Sequence, residues 1–176
     1  MSSSDRAANG IRGGLLATAL LALAACSVQP LYGSGPAGTA VNSALADIAI
    51  APVDTRVAQD LRNRLLFDLS GGPASPSQPR YALNLSVATS ELALGVTPVE
   101  TSPAYSVTVI ATYDVTSLAT GKIVYRSVTR QSASYDRTNQ AFANSRARLD
   151  AETRAAVLAA DDIHLTLAAA AASGRI

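Results

Sequence analysis

Apolar and polar positions change their spacing several times along the chain, and each change marks an element. From Gly13 to Ala25 almost every residue is Leu, Ala or Gly. Residues 33–44, GSGPAGTAVNSA, are small and carry no regular apolar spacing, so they read as a flexible tether. Asp47 to Val53, DIAIAPV, reads as a short strand that Pro52 ends. Asp54 or Thr55 can cap the helix that follows, in which Val57, Leu61, Leu65 and Leu69 recur every four residues. Gly71-Gly72-Pro73 stops it.

The spacing then becomes alternating. Tyr81, Leu83, Leu85 and Val87 share one face of a strand, with Asn84, Ser86 and Ala88 on the other. Residues 95–104, with Pro98 and Pro103, read as a long turn or loop. Tyr105, Val107, Val109, Ala111, Tyr113 and Val115 alternate with Ser106, Thr108, Thr112 and Asp114. SLATGK is a hairpin connection with Gly121 available for positive φ, and a third long strand runs from Lys122 to Tyr135, with Ile123, Tyr125 and Ser127 on its core face. From about Asn139 to Ala172 the pattern is helical, with Ala151, Ala155, Leu158, Ala159 and Ile163 on one broad arc. The expected fold is α+β, two helices packed on one face of a four-stranded, mainly antiparallel sheet.

Cys26 is the only cysteine and sits where the first apolar run stops. That run is too short for a bilayer-spanning helix, which needs roughly 20 residues. With Arg6 and Arg12 before it and the small Ala24-Ala25 at its end, residues 1–25 have the three regions of a secretory signal peptide. Leu23-Ala24-Ala25-Cys26 resembles the lipobox of bacterial lipoproteins. The resemblance implies cleavage before Cys26, a covalent diacylglycerol on its thiol and an N-acyl chain on its amine. Several acyl chains at about 0.8 kcal/mol per buried methylene give stable anchoring, where one chain is marginal. In the same sorting logic an aspartate after the cysteine favours inner-membrane retention. Ser27 stands there instead, which favours the outer membrane. The expected organisation is a signal peptide over 1–25, a lipidated N-terminus and tether over 26–44, and one domain over 45–176.

Removing residues 1–25 takes away Arg6, Arg12 and Asp5, and leaves twelve basic and twelve acidic residues. This balance gives no argument for nucleic acid. With Cys26 acylated, no disulfide can form within the chain, so the fold rests on its core. Trp is absent and Phe occurs twice, which leaves Leu, Val, Ile, Ala and Tyr to fill that core.

Catalytic chemistry is thin. His164 is the only histidine, set among Leu165 and Leu167 without a second metal-ligating neighbour. Asp161 and Asp162 are adjacent on a helix and point about 100° apart, as in a solvated patch. Glu91 and Glu100 are too isolated to form a catalytic pair, and no phosphate loop or nucleophile elbow occurs. The chain therefore reads as a non-enzyme without a metal or a dissociable cofactor. One charged pattern remains. Lys122, Arg126 and Arg130 share a strand face with Val124 and Val128, neighbouring cations lying roughly 13 Å apart at about 3.3 Å per residue. They form either a solvated, aggregation-resistant face or a cationic ridge that meets phosphates or carboxylates of a partner.

Several segments, in this order, resemble the lipopolysaccharide-assembly lipoprotein family LptE, in its alphaproteobacterial branch: ACSVQPLYG, RVAQDLRNRLLFDLSGG, PRYALNLSV, VTVIATYDVTSLATGKIVYRSVTRQSASYD and QAFANSRARLDAETRAAVLAADDI. The resemblance implies two helices on a four-stranded sheet. It also implies a lipoprotein at the outer membrane that partners an LptD-type β-barrel, as plug and assembly factor, in the export of lipopolysaccharide to the outer leaflet. The resemblance implies lipopolysaccharide and the barrel as partners but places no contact residue, so Lys122, Arg126 and Arg130 remain either a candidate contact with one of them or a solvated face. The alternative is an auxiliary lipoprotein of a phospholipid-transport ABC system.

Overall fold

The structure is a computed structural model that describes residues 36–72, 75–94 and 104–176. Its elements run α1 (Pro36–Ala46), β1 (Ile48–Ile50), α2 (Arg56–Ser70), β2 (Tyr81–Leu94), β3 (Ala104–Ser117), β4 (Ile123–Asp136) and α3 (Ala141–Ala172). The four strands form one sheet in chain order; β1 is parallel to β2 and the remaining pairs are antiparallel. Helices α2 and α3 pack on one face of that sheet, and α1 lies against both helices. This is the expected α+β architecture.

Helix α2 follows its sequence signals closely. Thr55 caps it, its side-chain oxygen accepting from the Ala58 N–H, and Gly71 closes it at φ 69°, a left-handed conformation that glycine adopts without steric cost. The stripe of Val57, Leu61, Leu65 and Leu69 is buried. Arg62 leaves the same helix toward the end of β1, where it donates to the carbonyls of Ala51 and Ile50. The long strands keep their alternation: Val107, Val109, Ala111, Tyr113 and Val115 of β3 are all buried. Gly121, at φ 67°, turns the hairpin between β3 and β4, its N–H bonded to Ser117 O. The expected loop around Pro98 and Pro103 lies mostly outside the described residues, although Ala104 belongs to β3.

Three expectations change. The segment read as a tether is helical from Pro36, with Val41 and Leu45 buried one helical turn apart. Pro36 is its first residue, where a missing N–H costs nothing. Leu158 is 46% exposed and not on the core arc of α3. Burial on that helix runs from Ala151, Ala155, Ala159 and Ile163 round to Glu152, Ala156 and Ala160, because α3 packs on α2 as well as on the sheet. Ile123 is 49% exposed. Thr116 pairs with Ile123 and Val115 with Tyr125, so Val124 is an extra residue at a β-bulge, which breaks the alternation there.

Candidate interaction surface

The sheet has one covered face and one bare face. Odd-numbered residues of β2, β3 and β4 carry its buried side chains, such as Leu83, Val109 and Thr129. Apart from half-buried Ala82, the even-numbered side chains of β2 and β4 are exposed along the bare face, and no described helix covers them. Polar side chains such as Asn84, Ser86, Ser90, Ser132 and Ser134 alternate there with apolar ones. Asn84 donates to Asp114 Oδ2 at 2.9 Å across the β2–β3 pair, and the hydroxyls of Thr108 and Ser132 lie 2.8 Å apart across β3 and β4. Exposed Leu92, Leu94, Val124 and Val128 interrupt the polar surface.

Arg126 and Arg130 stand on the bare face of β4 as the alternation places them. Lys122 is exposed too, but it lies before the strand and beyond the bulge at Val124, so the regular phase of the ridge covers the two arginines. Among the described residues, neither arginine makes an ion pair. Cys26, the expected lipidation site, lies outside the described residues.

A second polar constellation has no signature in the sequence. At the end of the sheet near the start of α3, a cleft of about 420 Å³ is lined by Glu91, Tyr135, Arg137, Asn144 and Arg148, among others. The Tyr135 hydroxyl donates to Glu91 Oε1, and Arg148 Nη1 stands 3.5 Å from Glu91 Oε2. Burial, then the hydrogen bond to Glu91, pushes the Tyr135 phenol up to about 12. Tyr135 stacks on Tyr105 with ring centroids 5.7 Å apart, and the Arg137 guanidinium sits 4.7 Å from the Tyr105 centroid. Ion pairs continue inward: Arg148 also meets Glu152, Glu152 meets Arg56 of α2, and Arg56 meets Asp60. Glu91 is thus one end of an alternating chain of charges that ties β2 to α3 and α2. With its oxygens engaged by a phenol and a guanidinium, it is placed for structure. Glu100 lies outside the described residues.

Of the remaining sequence candidates, Asp161 has a structural contact. Asp161 is an ion-pair partner of Arg64, 3.1 Å away across the α2–α3 seam, and not simply part of a solvated patch. Arg64 Nε is also 3.1 Å from Asp68 Oδ2, yet its N–H bonds to Asp161, which leaves that buried Asp68 oxygen without a hydrogen bond. Burial raises the Asp68 carboxyl above its ordinary value, against the opposing charge of Arg64.

These features define a class: a two-layer α+β domain, closed on its helical side, that offers an open, polar sheet face. The chain belongs to the LptE lipopolysaccharide-assembly family, whose sequence model matches residues 45–167. No curated protein matches it. Among solved structures, one similar chain is designated a lipoprotein from Caulobacter crescentus, with 28% identity, a TM-score of 0.64, and coverage of 76% of this chain and 96% of that one. Rare lipoprotein B from Shewanella oneidensis is similar at 16% identity and a TM-score of 0.53, over 69% of this chain and 92% of its own. At that identity the second likeness speaks for the fold. The role of the chain lies in lipopolysaccharide assembly.

Proposed function

We propose that this protein is an outer-membrane lipoprotein, anchored through acylated Cys26, that sits as a plug in an LptD-type β-barrel. There it assists assembly of the barrel and delivery of lipopolysaccharide to the outer leaflet. Family membership gives the process. The observation that carries the finer reading is the bare sheet face, where 14-residue strands present mainly Ser, Thr, Asn and Arg. The lumen of a large barrel is polar, and a plug inside it needs hydrogen-bonding groups outside and a compact core within. Opposite that face, the helices and the sheet enclose a continuous core that includes Leu61, Leu83, Val109 and Ile163.

The test is purification of the full chain from native outer membranes after crosslinking, with identification of what accompanies it. An LptD-type barrel at near-equal amount is the expected result. Recovery with components of a phospholipid-transport ABC system, and without a barrel, would overturn the proposal.

A further inference from the structure

Among the described residues the sheet ends on β4, and from Arg126 to Ser132 one row of that strand's backbone groups has no partner. Hydrogen bonds elsewhere in the ladder fix its phase. Leu83 O accepts from Ala51 N at 2.9 Å on the β1 side, so odd-numbered residues of β2 turn their N–H and C=O toward β1. Even-numbered residues of β2 then bond to even-numbered ones of β3, as in the Asn84–Asp114 register. Odd-numbered residues of β3 bond in turn to odd-numbered ones of β4, as in Ala111–Thr129. Arg126, Val128, Arg130 and Ser132 therefore direct their backbone groups away from the sheet. Arg154 marks the same direction independently: its Nη2 donates to Ser134 O at 2.8 Å. That contact caps the row at one end, and the bulge at Val124 interrupts it at the other. Between them lies an open edge of about 20 Å, with Val128 59% exposed.

The charges decide what such an edge accepts. In an antiparallel pair of two copies centred on Val128, Arg126 of each copy would stand opposite Arg130 of the other, and like charges placed directly opposite destabilise a sheet. A lipid phosphate could meet one guanidinium but would leave the row of backbone donors and acceptors uncovered. An extended peptide satisfies both sets, with its backbone completing the ladder and its carboxylates meeting the arginines.

We propose that the β4 edge takes an extended, acidic segment of the barrel partner as a fifth strand, with carboxylates four residues apart facing Arg126 and Arg130. This rests on the barrel reading above. Hydrogen exchange, measured on the full chain alone and in its purified complex with the LptD-type barrel, tests it. Amides of Val128, Arg130 and Ser132 should exchange at least about tenfold more slowly in the complex. Val128→Pro removes one outward N–H at an edge position that tolerates proline. It should keep the melting midpoint of the free chain close to wild type while lowering complex yield, and Arg126→Gln with Arg130→Gln should lower that yield as well.

A complex whose β4 amides exchange as in the free chain overturns the inference and leaves the barrel reading standing. Failure to form any barrel complex overturns both. Protection that appears in the free chain and grows with protein concentration assigns the edge to a second copy, against the proposal. Loss of binding to purified lipopolysaccharide in the double Gln variant, with β4 exchange in the complex unchanged from the free chain, assigns the arginines to lipid and also overturns it.

Discussion

Arg56 of α2 and Glu152 of α3 pair across the seam between the helices, 96 positions apart in the chain. Glu152 is 8% exposed, and its other oxygen meets Arg148 at 3.3 Å. Arg56 also reaches Asp60 at 2.9 Å and the Thr153 hydroxyl at 3.2 Å. One nearly buried carboxylate thus organises two guanidiniums, which is why a charge is tolerated within the seam.

Glu152→Ala should therefore destabilise the domain. Breaking a fully buried pair costs about 3–5 kcal/mol because a charge is left uncompensated. Here both arginines retain solvent, so about 1–3 kcal/mol is expected, still a large part of the about 5–15 kcal/mol that holds a domain together. Urea unfolding of the chain lacking residues 1–26 measures it. A loss below about 0.5 kcal/mol, typical of an exposed surface substitution, would mean that Glu152 is held by packing alone.

Two leucines that look alike in the sequence should behave differently. Leu65 is fully buried on the core face of α2, and Leu65→Ala should cost about 2–5 kcal/mol through lost burial and the cavity left behind. Leu158 is 46% exposed, and Leu158→Ala should change stability by less than about 1 kcal/mol. Equal shifts in melting midpoint would contradict the placement of α3.

The difference between these leucines also explains what the sequence could and could not reveal. The stripe through Leu65 and the alternation from Val107 to Val115 are legible because burial is one-sided and polar residues mark the opposite face. On α3, alanine occupies buried and exposed positions alike, so apolar spacing cannot fix the phase, and Leu158 falls on the wrong side. Helix α1 escapes notice because Gly38, Thr39 and Ser43 are weak helix formers, and its order comes from packing of Val41 and Leu45. The contact of Glu91 with Tyr135 and Arg148 joins residues from different elements, and no local pattern announces it. Arg126 and Arg130, by contrast, sit on one strand with even spacing, and their common face is readable directly.

Cys26→Ser should abolish acylation and leave an uncleaved or miscleaved precursor, since the thiol is the acceptor for diacylglycerol. Metabolic labelling with a fatty acid checks this, and label retained by the variant would reject the lipobox reading. Stability of the folded domain should be unchanged, because Cys26 precedes α1, the first element that contributes to the core.

Tyr135 predicts a loss of stability at high pH. Its phenol ordinarily titrates near 10 and is pushed up to about 12 in the fold, by burial first and by the Glu91 hydrogen bond second. The folded state thus holds a proton that the unfolded state releases. Below about pH 10 both states are protonated and the stabilisation is fully present; it declines as pH rises from about 10 toward 12. Burial raises the Tyr113 phenol as well, so some decline should survive removal of Tyr135. Unfolding free energies across this range, together with tyrosinate absorbance, test the assignment. Tyr135→Phe should lower stability near neutral pH through loss of the hydrogen bond to Glu91, yet flatten the alkaline decline. An alkaline profile identical to wild type would show that Tyr135 ionises in the folded protein as readily as in the unfolded chain, and that its contact with Glu91 does not hold the proton.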